Sequence, residues 1–433
     1  MRSRRQRSMF QVICICFSLF ALTPPVAADD DALYQVDPDQ LFQSVKLDLQ
    51  GDPSDSDSYS PWSYRPFCTD TLFDKINDEP LCVYTSTGFA GGRGLSLFTT
   101  PSVADHIVAT TPLFSEHDTS VVSSGVNTHS GNWYTAPIPG KGTGMLASKA
   151  LRRGNLVLAT TPILIAYSEN VLDATTREKY LRRAIDQLPS VTRAMYLSLA
   201  SLSDNAETQV QDIAAANTFG ISLGSERDRE GEQRPHLAVF PEASRMNHDC
   251  APNAIFHIDT RTLTQHVHAV RSVAASEELS IAYTSPLDST AERQAYLRRS
   301  FGFQCSCSRC RRGKDNADAD ADSNSDLVLS EMATLQSILG DWSPASKASV
   351  SHAERLVSLY VQEGLQGYMD PAYCHAALVY GSVGSARGVK KYVDLAVRAI
   401  ELRLGPDNED IKVWKEMAAA PEKHWSWRRR KQK

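Results

Sequence analysis

Apolar and polar positions alternate differently in successive stretches of the chain. From Thr135 to Tyr283, short β-branched and apolar runs are broken by turn residues, as in Leu156-Val157-Leu158 and His266-Val267-His268-Ala269-Val270. That pattern predicts strands. Between Ser168 and Asn217 it gives way to apolar residues at near-helical spacing, with Tyr180, Ile185, Leu188, Met195, Leu197 and Leu199 on the repeat. An all-helical insertion in an otherwise β domain is expected there. From Leu327 to about Met417 the periodicity is helical throughout, with paired apolar segments separated by Gly and Pro. Before Tyr134 the chain is rich in Asp, Ser, Thr, Pro and Gly, and a loop-rich region with short strands is expected.

At 433 residues the chain exceeds one ordinary core, so two or three domains are expected. The patterns divide it into a leader (1–28), a loop-rich N-terminal region (29–134), a β-rich domain (135–312), an acidic linker (313–326) and a helical C-terminal domain with a basic tail (327–433). Tyr380, Gly381 and Ala396 are spaced loosely like one tetratricopeptide repeat, which makes the last domain TPR-like. Asp318, Asp320 and Asp322 imitate the start of a calcium loop. Ser323 and Leu329 stand where that loop needs a Gly and a bidentate Glu, so no calcium is expected. Gly92-Arg93-Gly94 with Ala109-Thr110-Thr111-Pro112 is echoed fifty positions on by Gly142-Thr143-Gly144 with Ala159-Thr160-Thr161-Pro162. The echo suggests a partial duplication of one β-rich unit.

An apolar content of 42% with 22% charged residues belongs to a globular protein, and a net charge of −6 presents no broad basic face to nucleic acid. Arginines precede an apolar run from Met9 to Leu22, and Val26-Ala27-Ala28 offers small residues for cleavage. This reads as a secretory signal, too short for a membrane span of about 20 residues. The expected location is therefore the secretory pathway or outside the cell, or the nucleus or cytoplasm if the leader is not used. Against long residence in a glycosylating compartment, no Asn-x-Ser/Thr sequon occurs. The basic residues from Arg428 to Lys433 are expected as a solvated end.

Cys14 and Cys16 would leave with the leader, Cys68 and Cys82 would bridge or stay free, and Cys374 reads as a small buried hydrophobe. Cys305-x-Cys307-x-x-Cys310 places three thiolates within reach of one tetrahedral zinc, with Cys250 as the fourth ligand. A pair of disulfides is the alternative. Arg309, Arg311 and Arg312 would offset the negative cluster.

Around Cys250 the sequence reads Arg245-Met246-Asn247-His248-Asp249-Cys250-Ala251-Pro252-Asn253, and Glu277-Glu278-Leu279-Ser280-Ile281-Ala282-Tyr283 follows. With Gly142-Thr143-Gly144, Asn217-Thr218-Phe219 and the cysteine cluster, in that order from Gly140 to Cys310, the chain resembles the SET-domain protein-lysine methyltransferases, most closely their SET–MYND branch. The resemblance implies an α+β fold: a β-rich SET domain with a helical insertion and a post-SET zinc cluster, then helices. It implies S-adenosyl-L-methionine as cofactor, one structural zinc ion, and a protein or peptide lysine as acceptor. Gly142, Thr143, Gly144, Asn217, Ser244, Asn247, His248 and Phe303 match cofactor contacts, and Tyr283 matches the catalytic tyrosine, which also touches the cofactor. A monomer with no direct nucleic-acid partner and no membrane span is expected. A catalytically inactive SET scaffold that binds proteins, and a methyltransferase for small molecules, are the other readings. Two departures stand out: no Cys lies between Cys82 and Cys250, so the MYND zinc insert is absent, and Ser276 replaces the usual Gly before Glu-Glu-Leu.

Overall fold

A computed structural model describes residues 59–72, 78–114, 125–168, 171–227, 233–312 and 324–430. The leader with its two cysteines, most of the acidic linker with Asp318, Asp320 and Asp322, and the last three residues lie outside the described residues.

Thirteen strands run in chain order among the described residues: β1 Phe67–Cys68, β2 Cys82–Ser86, β3 Leu95–Thr99, β4 Trp133–Ile138, β5 Gly142–Ala147, β6 Leu156–Thr160, β7 Leu164–Tyr167, β8 Thr218–Arg227, β9 Gln233–Val239, β10 Asn247–His248, β11 Ala254–Asp259, β12 Thr264–Ala269 and β13 Glu278–Ile281. They form sheets ordered β1-β2-β3-β7-β9-β8, β10-β13-β5-β4 and β11-β12-β6. β3 runs parallel to β7, with Ser96 opposite Leu164, so residues on either side of position 134 share one sheet. The region expected to be loop-rich supplies three strands of that sheet. Every residue of β2 and β3 is buried, which continuous apolar, aromatic and threonine-rich pentapeptides permit. Cys68 and Cys82, paired in register on β1 and β2, form a disulfide.

The two echoed segments do not share a structure, which corrects the reading as a duplicated β unit. In the first, Thr100 caps and Pro101 opens a helix (α1, Pro101–Thr110), so Ala109 and Thr110 are helical. In the second, a turn at Gly154 (φ 87°) leads into β6, so Ala159 and Thr160 are extended. Identical tetrapeptides take their form from what precedes them.

The insertion is helical, as its periodicity predicts: α2 Ala174–Asp186, α3 Ser190–Leu197 and α4 Gln209–Asn217. Asp173 caps α2 by accepting from Thr176 N–H. Its apolar face makes one core with β2, β3 and β7 through Val83, Phe98, Leu164, Tyr180 and Ile185. Next, α5 (Thr290–Phe301) opens with a reciprocal Ser289–Glu292 capping box and stops at Gly302, whose φ of 70° suits a left-handed cap.

The C-terminal region has its own core, built from α6 Ser325–Gly340, α7 Val350–Gln362, α8 Asp370–Ser382, α9 Ala386–Leu404 and α10 Asp410–Ala419. α8 and α9 form a hairpin whose close approach requires Gly388, since a Cβ there would lie 2.1 Å from Tyr380 Cδ1. Cys374 is buried. Of the described part of the basic end, Arg428 and Arg429 are exposed as expected, whereas Arg430 is partly buried. Arg430 lies 3.8 Å from the Trp342 ring centroid and donates to the Leu339 carbonyl, and Arg428 N–H donates to Gly381 O. Burial lowers the Arg430 pKa, and the indole face and helix-end carbonyls offset part of the water it gives up. No helix among the described residues is long and apolar enough to cross a membrane.

Candidate functional site

The site is assembled where β10 and β13 run parallel, with Asn247 opposite Ser280 and His248 opposite Ile281. The contact continues as Asp249 N–H donates to Ile281 O at 3.0 Å, which carries Cys250 and Tyr283 to neighbouring positions. Asn253 holds the crossing from behind. Its Nδ2 donates to Glu278 O at 2.8 Å, and its Oδ1 accepts from Ser280 N–H at 2.9 Å.

His248 links the four-cysteine cluster to the segment that follows β13. Its Nδ1 accepts from Tyr283 N–H at 3.0 Å, and its Nε2 lies 3.2 Å from Cys250 Sγ. With Nδ1 an acceptor, Nε2 carries the proton and donates to the sulfur. Burial lowers the His248 pKa to about 4, which keeps this neutral form.

The sulfurs of Cys250, Cys305, Cys307 and Cys310 all lie within 4.8 Å of one another. Cys250 Sγ is 3.5 Å from Cys310 Sγ and 4.0 Å from Cys305 Sγ. Four sulfurs about 2.3 Å from a tetrahedral zinc would sit about 3.8 Å apart, so the set fits one zinc ion. The expected charge compensation is met in part, since the Cys250 charge acts on Arg309 although Glu363 also claims it. Arg309 is buried against Glu363, and Arg312 also pairs with Glu363 at 3.2 Å. A further cation beside the sulfurs is Arg293, which has no exposed surface. Burial would lower its pKa, but the Cys250 and Cys310 sulfurs it hydrogen-bonds raise it. Helical spacing from the Ser289 cap aims Arg293 inward, a direction that residue type alone does not reveal.

A cavity of about 960 Å³ opens beside this crossing. Gly142, Thr143, Asn217, Ser244, Asn247, His248, Tyr283 and Phe303 all line it, together with Cys305 and Cys307. Gly144 does not line it. It is buried beneath Asn247, and a Cβ there would lie 2.8 Å from Asn247 Nδ2 and 2.4 Å from Ile138 Cγ1. Asn217 and Ser244 are tied to backbone. Asn217 Nδ2 donates to the carbonyls of Ala200 and Ile213, both at 2.7 Å, and Ser244 Oγ donates to Asn217 O at 3.1 Å. These bonds hold the segment 198–202, which forms another wall, against the end of α4.

Two further residues shape the cavity and escaped sequence reasoning. Glu278 accepts from Asn247 Nδ2 at 2.9 Å through one oxygen and pairs with Lys141 Nζ at 2.7 Å through the other. Asn247 spends one amide proton on Glu278, which turns its Oδ1 away from that carboxylate and leaves it as an acceptor. Lys141 lines the cavity itself, in the middle of Gly140-Lys141-Gly142, where its position between two glycines was the available signal.

The Tyr283 hydroxyl donates to Met246 O at 2.7 Å. Burial, reinforced by the Glu278 charge, pushes its pKa up, so the phenol stays neutral. Its ring packs 4.9 Å from Phe301 and 5.5 Å from His248, and Phe303 closes the same aromatic wall 6.1 Å from His248.

Residues 142–284 match the family model of the SET domain. Over 174 residues the chain is 30% identical to the histone-lysine N-methyltransferase set5 of Schizosaccharomyces pombe, an overlap of 40% of this chain and 49% of that protein. Over 144 residues it is 31% identical to the N-lysine methyltransferase SMYD2 of Gallus gallus, covering 33% of this chain and 30% of that protein. Over 152 residues it is 26% identical to the histone-lysine N-methyltransferase ASHR1 of Arabidopsis thaliana, covering 33% and 31%. The chain therefore spans half or less of the length of these curated relatives. Matched sequence, mixed sheets and a four-cysteine cluster beside the strand crossing lead to one assignment: residues 142–284 match the SET domain, over about a third of the chain.

Proposed function

We propose that this chain is an S-adenosylmethionine-dependent methyltransferase whose acceptor is a lysine side chain of a protein. One observation carries the reading: the neutral Tyr283 hydroxyl, fixed on Met246 O, shares a cavity with Asn217, Ser244, Asn247, His248 and Phe303. The cavity lies at the upper end of the roughly 300–1,000 Å³ typical of ligand sites, which suits a nucleoside cofactor and the end of a lysine together. The backbone from Gly140 to Thr143, the Asn247 Oδ1 and the Phe303 ring are groups that can hold such a cofactor. When bound, S-adenosylmethionine supplies an electrophilic methyl group on a sulfonium centre.

The chain's own residues would bind and align. A lysine amine has a pKa of about 10.4 in water and must be neutral to act as nucleophile. Enclosure by Tyr283, Phe301 and Phe303 lowers that value by removing water from the ammonium form. Tyr283 does not act as base, because its proton is engaged with Met246 O and its pKa is raised. Its oxygen lone pairs remain to orient the amine, and rate is gained through alignment. One zinc held by the four cysteines would lock the Phe303 loop to the Asn247–His248 strand.

The test is transfer of labelled methyl from S-adenosylmethionine to lysine-rich protein mixtures, followed by acid hydrolysis. Labelled methyl-lysine is expected. Absence of cofactor binding by calorimetry would overturn the reading, and binding without transfer would favour a scaffold.

We also propose that the protein works in the secretory pathway. The arginine-led apolar segment and the Cys68–Cys82 bridge, a bond characteristic of oxidising compartments, support this. Sequencing of the protein isolated from cells or medium should then find a terminus near Asp29, and intact Met1 on cytosolic material would overturn it.

A further inference from the structure

Arg309 lies inside the zinc loop, between Cys307 and Cys310, and has no exposed surface. Its Nε donates to Glu363 Oε2 at 2.6 Å and to Ser325 Oγ at 3.0 Å, and Ser325 Oγ donates to the same carboxylate oxygen at 2.6 Å. Its Nη1 donates to Cys250 O at 3.0 Å. Glu363, at the end of α7, is also fully buried. The next residue, Gly364, has a φ of 71° and packs so closely on the Cys250 turn that a Cβ would lie 2.8 Å from Ala251 Cβ. Two consecutive residues of the helical region therefore grip both separated parts of the cysteine cluster.

Burying two opposite charges is costly, and a well-packed apolar pair often serves stability as well or better. What the ion pair adds is direction. With Nε held by a fixed carboxylate, the planar guanidinium keeps Nη1 aimed at the Cys250 and Pro286 carbonyls.

We propose that Glu363 is a positioning residue for the zinc and cofactor wall. Through Arg309 it holds the Cys250 turn and the Cys305–Cys310 loop at the spacing a metal requires, which makes the C-terminal helices a component of the site. The cofactor half of this inference rests on the methyltransferase reading, and the zinc half does not.

The experiment compares full-length wild type, Glu363→Gln and Glu363→Asp. Glu363→Gln is expected to purify with one zinc per chain and to yield it to a colorimetric chelator at least about tenfold faster. Its KM for S-adenosylmethionine should rise at least about fivefold while kcat at saturation changes less than about twofold. Glu363→Asp, which keeps the charge, should recover most of the zinc retention. A Glu363→Gln protein with wild-type zinc release overturns the proposal, as does a fall in stability and kcat with zinc release unchanged. Should Glu363→Gln fail to fold, Ser325→Ala removes one support of the carboxylate and keeps both charges. Faster zinc release there supports the proposal, and a wild-type rate overturns it. Faster zinc loss in a protein that transfers no methyl group would sink the enzymatic reading and leave this one standing.

Discussion

Replacing Gly144 with alanine tests whether the site depends on where Asn247 sits. The new Cβ would stand 2.4 Å from Ile138 Cγ1 and 2.8 Å from Asn247 Nδ2, where non-bonded carbons prefer about 3.5–4.0 Å. Ile138 is only half-buried and can turn its side chain away. Asn247 has less freedom, because Glu278 holds its amide at 2.9 Å and is itself held by Lys141 at 2.7 Å. The strain therefore falls on the residue that faces the cavity. Overpacking of this kind costs about 1–3 kcal/mol of stability. Losing a hydrogen bond to a charged group costs a further ~1.5–3 kcal/mol wherever the bound state needs the amide in place. Since 1.4 kcal/mol is tenfold in affinity, the Kd for S-adenosylmethionine should rise at least about tenfold. Calorimetric titration of the folded variant, beside chemical denaturation, separates the two effects. Gly142→Ala is the contrast. Its φ of 70° disfavours a side chain, yet no atom lies within 4 Å of the new Cβ, so a backbone cost of about 1–2 kcal/mol is expected without displacement of Asn247. A Gly144→Ala protein that loses stability but binds the cofactor within about twofold of wild type would show that Asn247 is not what the glycine secures.

Tyr283→Phe removes the hydroxyl that donates to Met246 O at 2.7 Å and should cost about 1–2 kcal/mol of stability. Methyl transfer should fall by about 100-fold or more, as when an aligned polar group is deleted from other active sites; full activity would refute the assigned role. Ser276 stands at φ 63°, a left-handed position where the family's usual glycine is unstrained, so Ser276→Gly should stabilise the fold by about 0.5–1 kcal/mol in denaturant titration. The rings of His257, His266 and His268 stack at centroid distances of 5.1, 5.7 and 6.5 Å on the face of β11 and β12 that meets the end of α9. Burial, then the neighbouring histidines, lowers the His268 pKa to about 4, while Asp259 partly offsets the effect at His257 and His266. The unfolded chain therefore binds protons first as pH falls below about 6.5, and stability declines from there to about pH 4. The contribution of His268 is on the order of 1–3 kcal/mol; a His268→Leu protein should show a shallower acid limb in urea titrations, and an unchanged limb would refute the assignment.

Motifs with fixed local spacing were readable along the chain. The three thiols of the Cys305–Cys310 loop, the Asn247-His248 pair and the helical insertion follow from residue type and period, which depend on neighbours a few positions away. Gly144 was read as a cofactor contact because sequence shows that a glycine is needed and not what presses against it. The same limit explains the echoed segments, where four identical residues end a helix in one place and a strand in the other because Pro101 precedes only the first.

Sequence alone determined the chemical inventory: the sulfurs, the tyrosine, the amide and the imidazole, in an order that a SET domain uses. Tertiary structure decided which charges support them. Arg293 meets the sulfurs from outside their loop, Glu278 orients Asn247, and Glu363 reaches Arg309 across 54 positions of chain. Pairings over such distances are chosen by burial, because a charge removed from water must find whatever partner the packed chain brings beside it, and no local period encodes that.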